Sequence, residues 1–220
     1  MAVFFESRID AARRLAKPLA RYRGHNPLVL AIPRGAVPMG RILADELEGE
    51  LDVVLVRKLR SPSSSEFAVG SIDESGWSYV AEYAISAGAD PAYLEQEKRF
   101  QLDVLHKRRA QYTPARPPID AKGRIAIVVD DGLATGATMI AALHAARAKQ
   151  PAQLVCAVPV AAPDSLERVR SYADEVICLD APEDFFAVGQ FYGEFHQVDD
   201  EEVIALLAAE TAATQGSAAG

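Results

Sequence analysis

Short apolar runs recur along the chain and alternate with segments whose apolar residues fall at helical spacing. The runs predict strands at residues 28–32, 52–56, 125–129, 153–159 and 175–179. The helical segments lie at residues 7–23, 39–47, 139–143 and 164–172. The run at 125–129 is apolar throughout, which is typical of a strand buried on both faces of a parallel sheet. The alternation predicts an α/β fold with a doubly wound, mostly parallel sheet.

Two regions depart from this alternation. Residues 67–72 and 77–81 have the pattern of short strands, and the turn residues at 73–76 join them as a hairpin. Residues 90–112 have a strongly helical composition and predict one long helix.

Composition and charge narrow the function classes. The chain has 220 residues, of which 50% are hydrophobic and 25% charged, as in a globular domain. Its net charge of −8 disfavours general nucleic-acid binding. No signal peptide and no apolar run near ~20 residues is present, so we expect no membrane segment and a cytoplasmic location. Cys156 and Cys178 are expected to be free thiols.

Two adjacent carboxylates, Asp130 and Asp131, follow the strand at 125–129. They repel each other, and burial raises the cost of keeping both ionised, so their presence needs a reason. Open α/β sheets bind ligands at the carboxyl ends of their strands, where two acceptors can hold two hydroxyls. The acidic pair therefore predicts a site for a sugar diol.

The turn after the acidic pair is made of small residues and opens a helix. It consists of Ala134, Thr135, Gly136, Ala137 and Thr138. Free backbone amides, two hydroxyls and the helix dipole suit a phosphate there. A diol beside a phosphate describes a ribose 5-phosphate. An ordinary strand–turn–helix unit with solvent-facing acids is the alternative, and the full pattern is more specific than that.

The stretch DDGLATGAT at 130–138 resembles the phosphoribosyl pyrophosphate signature of the type I phosphoribosyltransferases. A second segment, Pro33 followed by Arg34, Gly35 and Ala36 at a strand end, resembles the pyrophosphate loop of the same family. Its guanidinium and backbone amides would be available to an anion. The resemblance also implies a cis peptide bond near Arg34 and Gly35. Taken alone, this turn is equally compatible with a solvent-facing arginine.

Cations follow the strand predicted at 52–56. Arg57 and Lys58 occupy the place where adenine and orotate enzymes of the family carry an Arg-Lys pair that reaches the pyrophosphate. Glu66 lies in a serine-rich segment that corresponds to the family's mobile covering loop, and the resemblance makes it a candidate for handling the proton. The predicted catalytic residues are therefore Asp130, Asp131, Lys58 and Glu66.

The resemblance implies transfer of a 5-phosphoribosyl group from phosphoribosyl pyrophosphate to a nitrogenous base, as in nucleotide salvage. Mg²⁺ is expected as cofactor, bound mainly by the substrate's oxygens and water rather than by protein ligands. Hypoxanthine-guanine enzymes carry an aspartate where this chain has Ala134, which argues against a 6-oxopurine acceptor. The alternative is a regulatory protein that keeps the phosphoribosyl pyrophosphate site without turnover.

We expect one phosphoribosyltransferase domain over residues 1–211, with a core at about 24–180. In the family, a variable hood over the acceptor is formed by segments corresponding to 1–23 and 181–211. Aromatic side chains of the second segment are candidates for stacking on a base: Phe185, Phe186, Phe191 and Tyr192. A short helix is expected at 201–210 and a disordered tail at 212–220. The basic cluster at 107–109 is interpreted as a solvent- or dimer-facing surface, which allows a homodimer.

Overall fold

The computed structural model describes residues 4–217, and the side chains of residues 65, 66 and 210–217 fall outside that description. The strands are β1 (Leu28–Ala31), β2 (Glu50–Val53), β3 (Val56–Ser61), β4 (Ser64–Asp73), β5 (Ser78–Val80), β6 (Ile125–Val129), β7 (Gln153–Val160) and β8 (Glu175–Asp180). The helices are α1 (Arg8–Leu19), α2 (Val37–Glu46), α3 (Pro91–Tyr112), α4 (Ala137–Ala148), α5 (Pro163–Arg170) and α6 (Asp200–Ser217).

A five-stranded parallel sheet forms the centre of the domain, in the order β2-β1-β6-β7-β8. Side chains alternate across it, so Ile127 and Val129 face the layer that contains α1, α2 and α6. Ala126 and Val128 face the opposite layer, which contains α4 and α5. Because helices cover both faces, the prediction of a doubly wound, mostly parallel α/β fold is confirmed.

A separate antiparallel sheet, in the order β3-β4-β5, packs against α3 and α4. The hairpin predicted around residues 73–76 is present between β4 and β5. The run predicted as one strand at 52–56 is divided between the two sheets, because β2 ends at Val53 and β3 begins at Val56. Residues 57 and 58 therefore lie inside a strand and not beyond its end.

The segment before α1 pairs with the segment that follows β8. Phe5 forms a parallel bridge with Tyr192, and the segment 181–199 follows β8 to this place. We call residues 181–199 the hood segment. The last helix, α6, continues to Ser217, so part of the predicted tail is helical, and residues 218–220 lie outside the described residues. Within the described chain, no helix combines the length and apolarity needed to cross a bilayer.

Candidate active site

The sheet order places the two predicted ligand loops side by side. β1 and β6 are neighbours, with Ala31 opposite Val129 at their carboxyl ends. The chain leaves β1 toward β2 on one side, whereas β6 leads to β7 on the other, so the sequence order reverses between β1 and β6. Such a switch point opens a crevice between the two loops, and this is where doubly wound sheets bind ligands.

Two adjoining cavities occupy this crevice. The first has a volume of about 160 Å³ and contains most of the predicted residues. Its lining comprises Lys58, Asp130, Asp131, Gly132, Leu133, Ala134, Thr135, Gly136, Thr138, Met139 and Val188. The second, of about 350 Å³, shares Lys58, Asp130, Asp131 and Thr138 with the first and adds Arg34 and Gly35.

The turn from Ala134 to Thr138, called the phosphate turn below, has a backbone conformation that leaves amides available at the start of α4. Gly136 caps α4 with φ +76°, a left-handed conformation that other residues adopt only with strain. The first intrahelical bond runs from Ile140 N–H to the Gly136 carbonyl, which leaves the preceding amides of the first turn free of helical partners. Ser165 Oγ donates to the Ala134 carbonyl at 2.7 Å and fixes the turn against α5. Thr135 is exposed and Thr138 half-buried at the cavity wall.

The acidic pair is buried more deeply than solvent-facing acids would be. Burial, followed by repulsion from Asp131, raises the pKa of Asp130 well above its ordinary value. Burial also raises the pKa of Asp131, but the nearby Arg8 opposes this shift. Asp131 N–H donates to Asp130 Oδ1 at 2.9 Å, so the chain turns here and both carboxylates line the same cavities. In this position they can accept from two neighbouring hydroxyls.

Arg8 is a site residue that sequence reasoning missed. Its Nε and Nη2 donate to Asp131 Oδ2 at 2.9 and 2.8 Å, and its guanidinium lies 3.8 Å from the ring centroid of Phe195. It is the first residue of α1, which the amphipathic pattern predicts as a helix without indicating any ligand. The two partners lie 123 positions apart, so no local motif could have joined them.

The pyrophosphate loop lies against this ion pair. A cis peptide bond joins Pro33 and Arg34, one bond before the place the resemblance indicated. A Cβ at Gly35 would stand 2.6 Å from Asp131 Oδ2, so only glycine fits between the loop and the carboxylate. Arg34 lines the second cavity, and its Nη1 lies 3.4 Å from Asp200 Oδ2 at the start of α6.

Lys58 and Arg57 point to different sides of β3. Successive strand residues face opposite sides, and Lys58 is the one that lines both cavities. Arg57 instead donates through Nε to Gln101 of α3. Burial, followed by the nearby Arg108 and Arg60, lowers the pKa of Arg57. The structure therefore does not bring the predicted Arg-Lys pair together at the cavities, because both residues lie inside a strand.

Two further predicted residues, Ala36 and Ala137, do not line the described cavities. Ala36 and Ala137 are buried beneath their loops, and each stands at the start of a helix. They shape the loops through their backbone rather than by side-chain contact. The backbone of Glu66 lies in β4, but its side chain falls outside the described part of the chain.

The hood segment contributes different side chains from those expected to stack on a base. Phe191 and Tyr192 are core residues, and Phe186 is 89% exposed. Phe185 is partly buried and packs on Phe191. The hood side chains that line the cavities are Val188, Phe195, Gln197 and Val198. Tyr192 still reaches the site, since its hydroxyl donates to the Asp131 carbonyl at 2.7 Å.

The described residues contain no group of three or more His, Cys, Asp or Glu side chains able to hold a metal ion. Two carboxylates beside an open cavity suit Mg²⁺ that arrives with a polyphosphate, because this ion keeps phosphate oxygens and water as ligands. These residues are compatible with Mg²⁺ carried by the substrate, and binding of that ion stays a prediction.

This chain is similar to known proteins by family model, by sequence and by structure. The family model described as "Phosphoribosyl transferase domain" matches residues 5–195. A Mycobacterium tuberculosis protein named "Putative phosphoribosyl transferase Rv0571c" is 43% identical over 204 residues, which is 92% of this chain. The chain spans only 46% of the length of that relative. The crystal structure of TT1426 from Thermus thermophilus is 45% identical, with a TM-score of 0.79 over 94% of this chain and 99% of that one.

Proposed function

The chain belongs to the phosphoribosyl transferase domain family, and from that premise we propose that it transfers 5-phosphoribosyl from phosphoribosyl pyrophosphate to a nitrogenous base. In this reaction a ring nitrogen bonds to the anomeric carbon of the ribose. The bond from that carbon to the pyrophosphate oxygen breaks, and pyrophosphate leaves with the electron pair. The base loses its ring proton as the product forms.

The observation that carries this proposal is the convergence of two acceptors and a phosphate turn in one cavity. Asp130 and Asp131 line one part of it, and the turn from Ala134 to Thr138 lines another. The acids suit the two ribose hydroxyls, and the helix start suits the 5-phosphate. An acidic metal site would require only the acidic pair, and a plain surface loop would require neither the pair nor the phosphate turn.

Lys58 and Arg34 are the cations that would neutralise the leaving pyrophosphate. Lys58 lines both cavities, and Arg34 lines the one next to the acidic pair. Negative charge on departing pyrophosphate is stabilised by fixed cations, and positioned charges of this kind supply most of the catalysis in such a transfer. Mg²⁺ bound to the pyrophosphate would add to this neutralisation.

The side chain at position 134 limits the class of base that we propose as acceptor. Ala134 carries no group that could act on the purine ring, which favours a base other than a 6-oxopurine. The hood residues along the cavities, Val188, Phe195 and Val198, provide apolar contacts for a flat ring.

A screen of nitrogenous bases with phosphoribosyl pyrophosphate and Mg²⁺, followed by pyrophosphate release, tests the proposal. Asp130→Asn should abolish release with whichever base is active, whereas Asp120→Asn should match wild type because Asp120 is exposed and bonds only locally. Binding of phosphoribosyl pyrophosphate is measured in parallel by calorimetry. Binding without release for any base would favour a non-catalytic regulatory protein, and absence of both would refute the proposal.

A further inference from the structure

Every nitrogen of the Arg8 guanidinium is engaged within the protein. Nε and Nη2 both bond to Asp131 Oδ2, and Nη1 donates to the His196 carbonyl at 2.7 Å. The face of the guanidinium lies on Phe195. The side chain is only 11% exposed. Three of its five N–H donors are thus used within the protein, and these bonds fix the guanidinium in the wall of the second cavity.

Helix stability alone gives no reason for arginine at this position. Arg8 is the first residue of α1, after the cap Ser7, and a cation there meets the positive end of the helix dipole. Arg14, further along α1, shows the ordinary alternative, because it pairs with Asp10 on the same helix. The position of Arg8 is explained by its partner at the end of β6 rather than by α1.

Arg8 also joins the acidic pair to the hood segment. One of its edges holds Asp131, and the other holds the backbone at His196. Tyr192 adds a second link, since its hydroxyl donates to the Asp131 carbonyl. Gly35 closes the opposite side, where a Cβ would come within 3.1 Å of Arg8 Nη2. Asp131 is thus held from α1, from the hood and from the pyrophosphate loop. The two bonds that Arg8 makes to Asp131 both go to Oδ2 and leave Oδ1 available to another donor.

We propose that Arg8 is a positioning residue for the transfer reaction, which keeps Asp131 oriented to accept a ribose hydroxyl and ties the hood segment to the acidic pair. This inference rests on the proposed function, since the hydroxyl belongs to the phosphoribosyl substrate. The opposite role would be a latch that occupies Asp131 and must leave before substrate binds. The two roles predict opposite changes in affinity when Arg8 is replaced.

The charge around Asp131 provides a readout that a merely structural contact would not move. Among the side chains that the structure describes, the ionisable groups facing it are Asp130, Lys58, Arg8 and the Tyr192 hydroxyl. Removing Arg8 takes away a cation that favours the carboxylate, so the apparent pKa values of the acidic pair should rise. The loss of affinity on acidification should then begin at a higher pH.

The experiment compares wild type, Arg8→Gln, Arg8→Lys and the control Arg23→Gln, since Arg23 is exposed and pairs with Glu48 away from both cavities. Phosphoribosyl pyrophosphate binding is measured by calorimetry between about pH 5 and pH 9, and the titration of the acidic pair by carboxyl NMR. Arg8→Gln should weaken binding by about tenfold to a hundredfold at neutral pH and move the acid limb upward. Arg8→Lys should restore the acid limb in part, since it returns the charge but cannot hold both Asp131 and the His196 carbonyl. Arg23→Gln should match wild type.

The outcomes distinguish a positioning role of Arg8 from a latch. Tighter binding by Arg8→Gln would show that Arg8 is a latch and overturn the proposal. Equal affinity and an unmoved titration in folded Arg8→Gln and Arg8→Lys would also overturn it. Should wild type itself fail to bind phosphoribosyl pyrophosphate, the proposed function fails, and the ribose role of Arg8 fails with it. The titration alone then decides whether Arg8 controls Asp131, so the two failures remain distinguishable.

Discussion

Asp130 and Asp131 are adjacent in the chain, but their surroundings give them different effects on stability. Asp131 has Arg8 as a charge partner, whereas burial and repulsion from Asp131 dominate at Asp130. We therefore expect Asp130→Asn to stabilise the fold. Asp131→Asn should cost about 1–3 kcal/mol, because it leaves Arg8 buried beside a neutral amide. Both changes should reduce phosphoribosyl pyrophosphate affinity by about 1.5–3 kcal/mol, the value of a charge-assisted hydrogen bond.

The pH dependence of Asp130→Asn has a definite sign. A carboxyl group with a raised pKa in the folded state contributes stability below its unfolded pKa and loses it as pH rises through the folded pKa. Asparagine does not ionise, so its advantage over Asp130 should be greater at about pH 8 than at about pH 5. Denaturant unfolding at both pH values measures this difference. A larger advantage at the lower pH would contradict the placement of a destabilised carboxylate at position 130.

The phosphate turn is tested best at a hydroxyl. Gly136 is a poor probe, since its positive φ makes any substitution strain the backbone as well as obstruct the anion. Thr138→Val keeps the shape of the side chain and removes one donor. It should weaken phosphoribosyl pyrophosphate binding by about 1.5–3 kcal/mol with little change in stability. Thr113→Val is the matched control, because Thr113 bonds to the Arg109 carbonyl away from both cavities. Equal affinities of the two variants in calorimetry would remove Thr138 from the site.

At the scale of single residues, the sequence predicted what is local. Asp130, Thr135 and Thr138 lie within one continuous motif, so their proximity follows from one strand, one turn and one helix start. Arg8 could not be predicted, because its role depends on how α1 packs against a strand end far along the chain. The resemblance to the Arg-Lys pair of adenine and orotate enzymes predicts Arg57 at the cavities, after a strand predicted to end at Val56. Inside β3, side-chain alternation turns Arg57 toward α3 instead.

Among the elements, the antiparallel sheet connects the start of α4 with α3. Ser71 Oγ of β4 donates to the Ala137 carbonyl at 2.7 Å, which joins this sheet to the first residue of α4 beside the phosphate turn. On the other side, Glu97 of α3 holds Arg60 of β3. Burial alone would raise the pKa of Glu97, but hydrogen bonds from Arg60 and Gln101 outweigh it and lower the pKa. The sheet is thus linked to the site at one side and anchored to α3 at the other.

We expect residues 59–76 to become more protected when substrate binds. The family's covering loop excludes water from the reacting sugar, and this segment includes the turn between β3 and β4. Hydrogen exchange should slow there when phosphoribosyl pyrophosphate, Mg²⁺ and an unreactive acceptor analogue are present together. The amides of β8 provide an internal reference, since β8 is an edge strand of the parallel sheet and contributes no lining residue to either cavity. Equal exchange at 59–76 with and without ligands would leave the segment an ordinary hairpin.

The element pattern was predictable where apolar runs are continuous and bounded by turns. β1, β6 and β7 follow their runs closely, since burial on both faces demands such runs. β8 also follows its run, although it is an edge strand and mostly half-buried. The division between β2 and β3 was not predictable, because one apolar run continues through Val54 and Leu55 while the chain changes sheets. Both residues are buried, so periodicity alone gives no sign of the change.

At the scale of the whole molecule, the N-terminal segment and the hood segment are held to the parallel sheet as one body. Phe5 N–H donates to the Phe191 carbonyl and Gly193 N–H to the Phe5 carbonyl, each at 2.8 Å. The Phe5 ring lies 5.4 Å from that of Tyr192. Tyr192 in turn bonds to the Asp131 carbonyl at the end of β6. Phe5 is therefore a packing link between the hood and the acidic pair.

Phe5→Ala should then affect the entire domain as well as the site. Phe5 is fully buried, and truncating a buried phenylalanine costs about 3–5 kcal/mol, so the midpoint of denaturant unfolding should fall in a single transition. Affinity for phosphoribosyl pyrophosphate should fall too, because Tyr192 loses a neighbour that holds it near Asp131. Phe4→Ala is the matched control: Phe4 is 57% exposed and should cost less than about 1 kcal/mol. If Phe5→Ala leaves the unfolding midpoint unchanged and only speeds hydrogen exchange at residues 185–198, the hood segment opens independently of the rest of the domain. Its contacts with the acidic pair then contribute nothing to the stability of the fold.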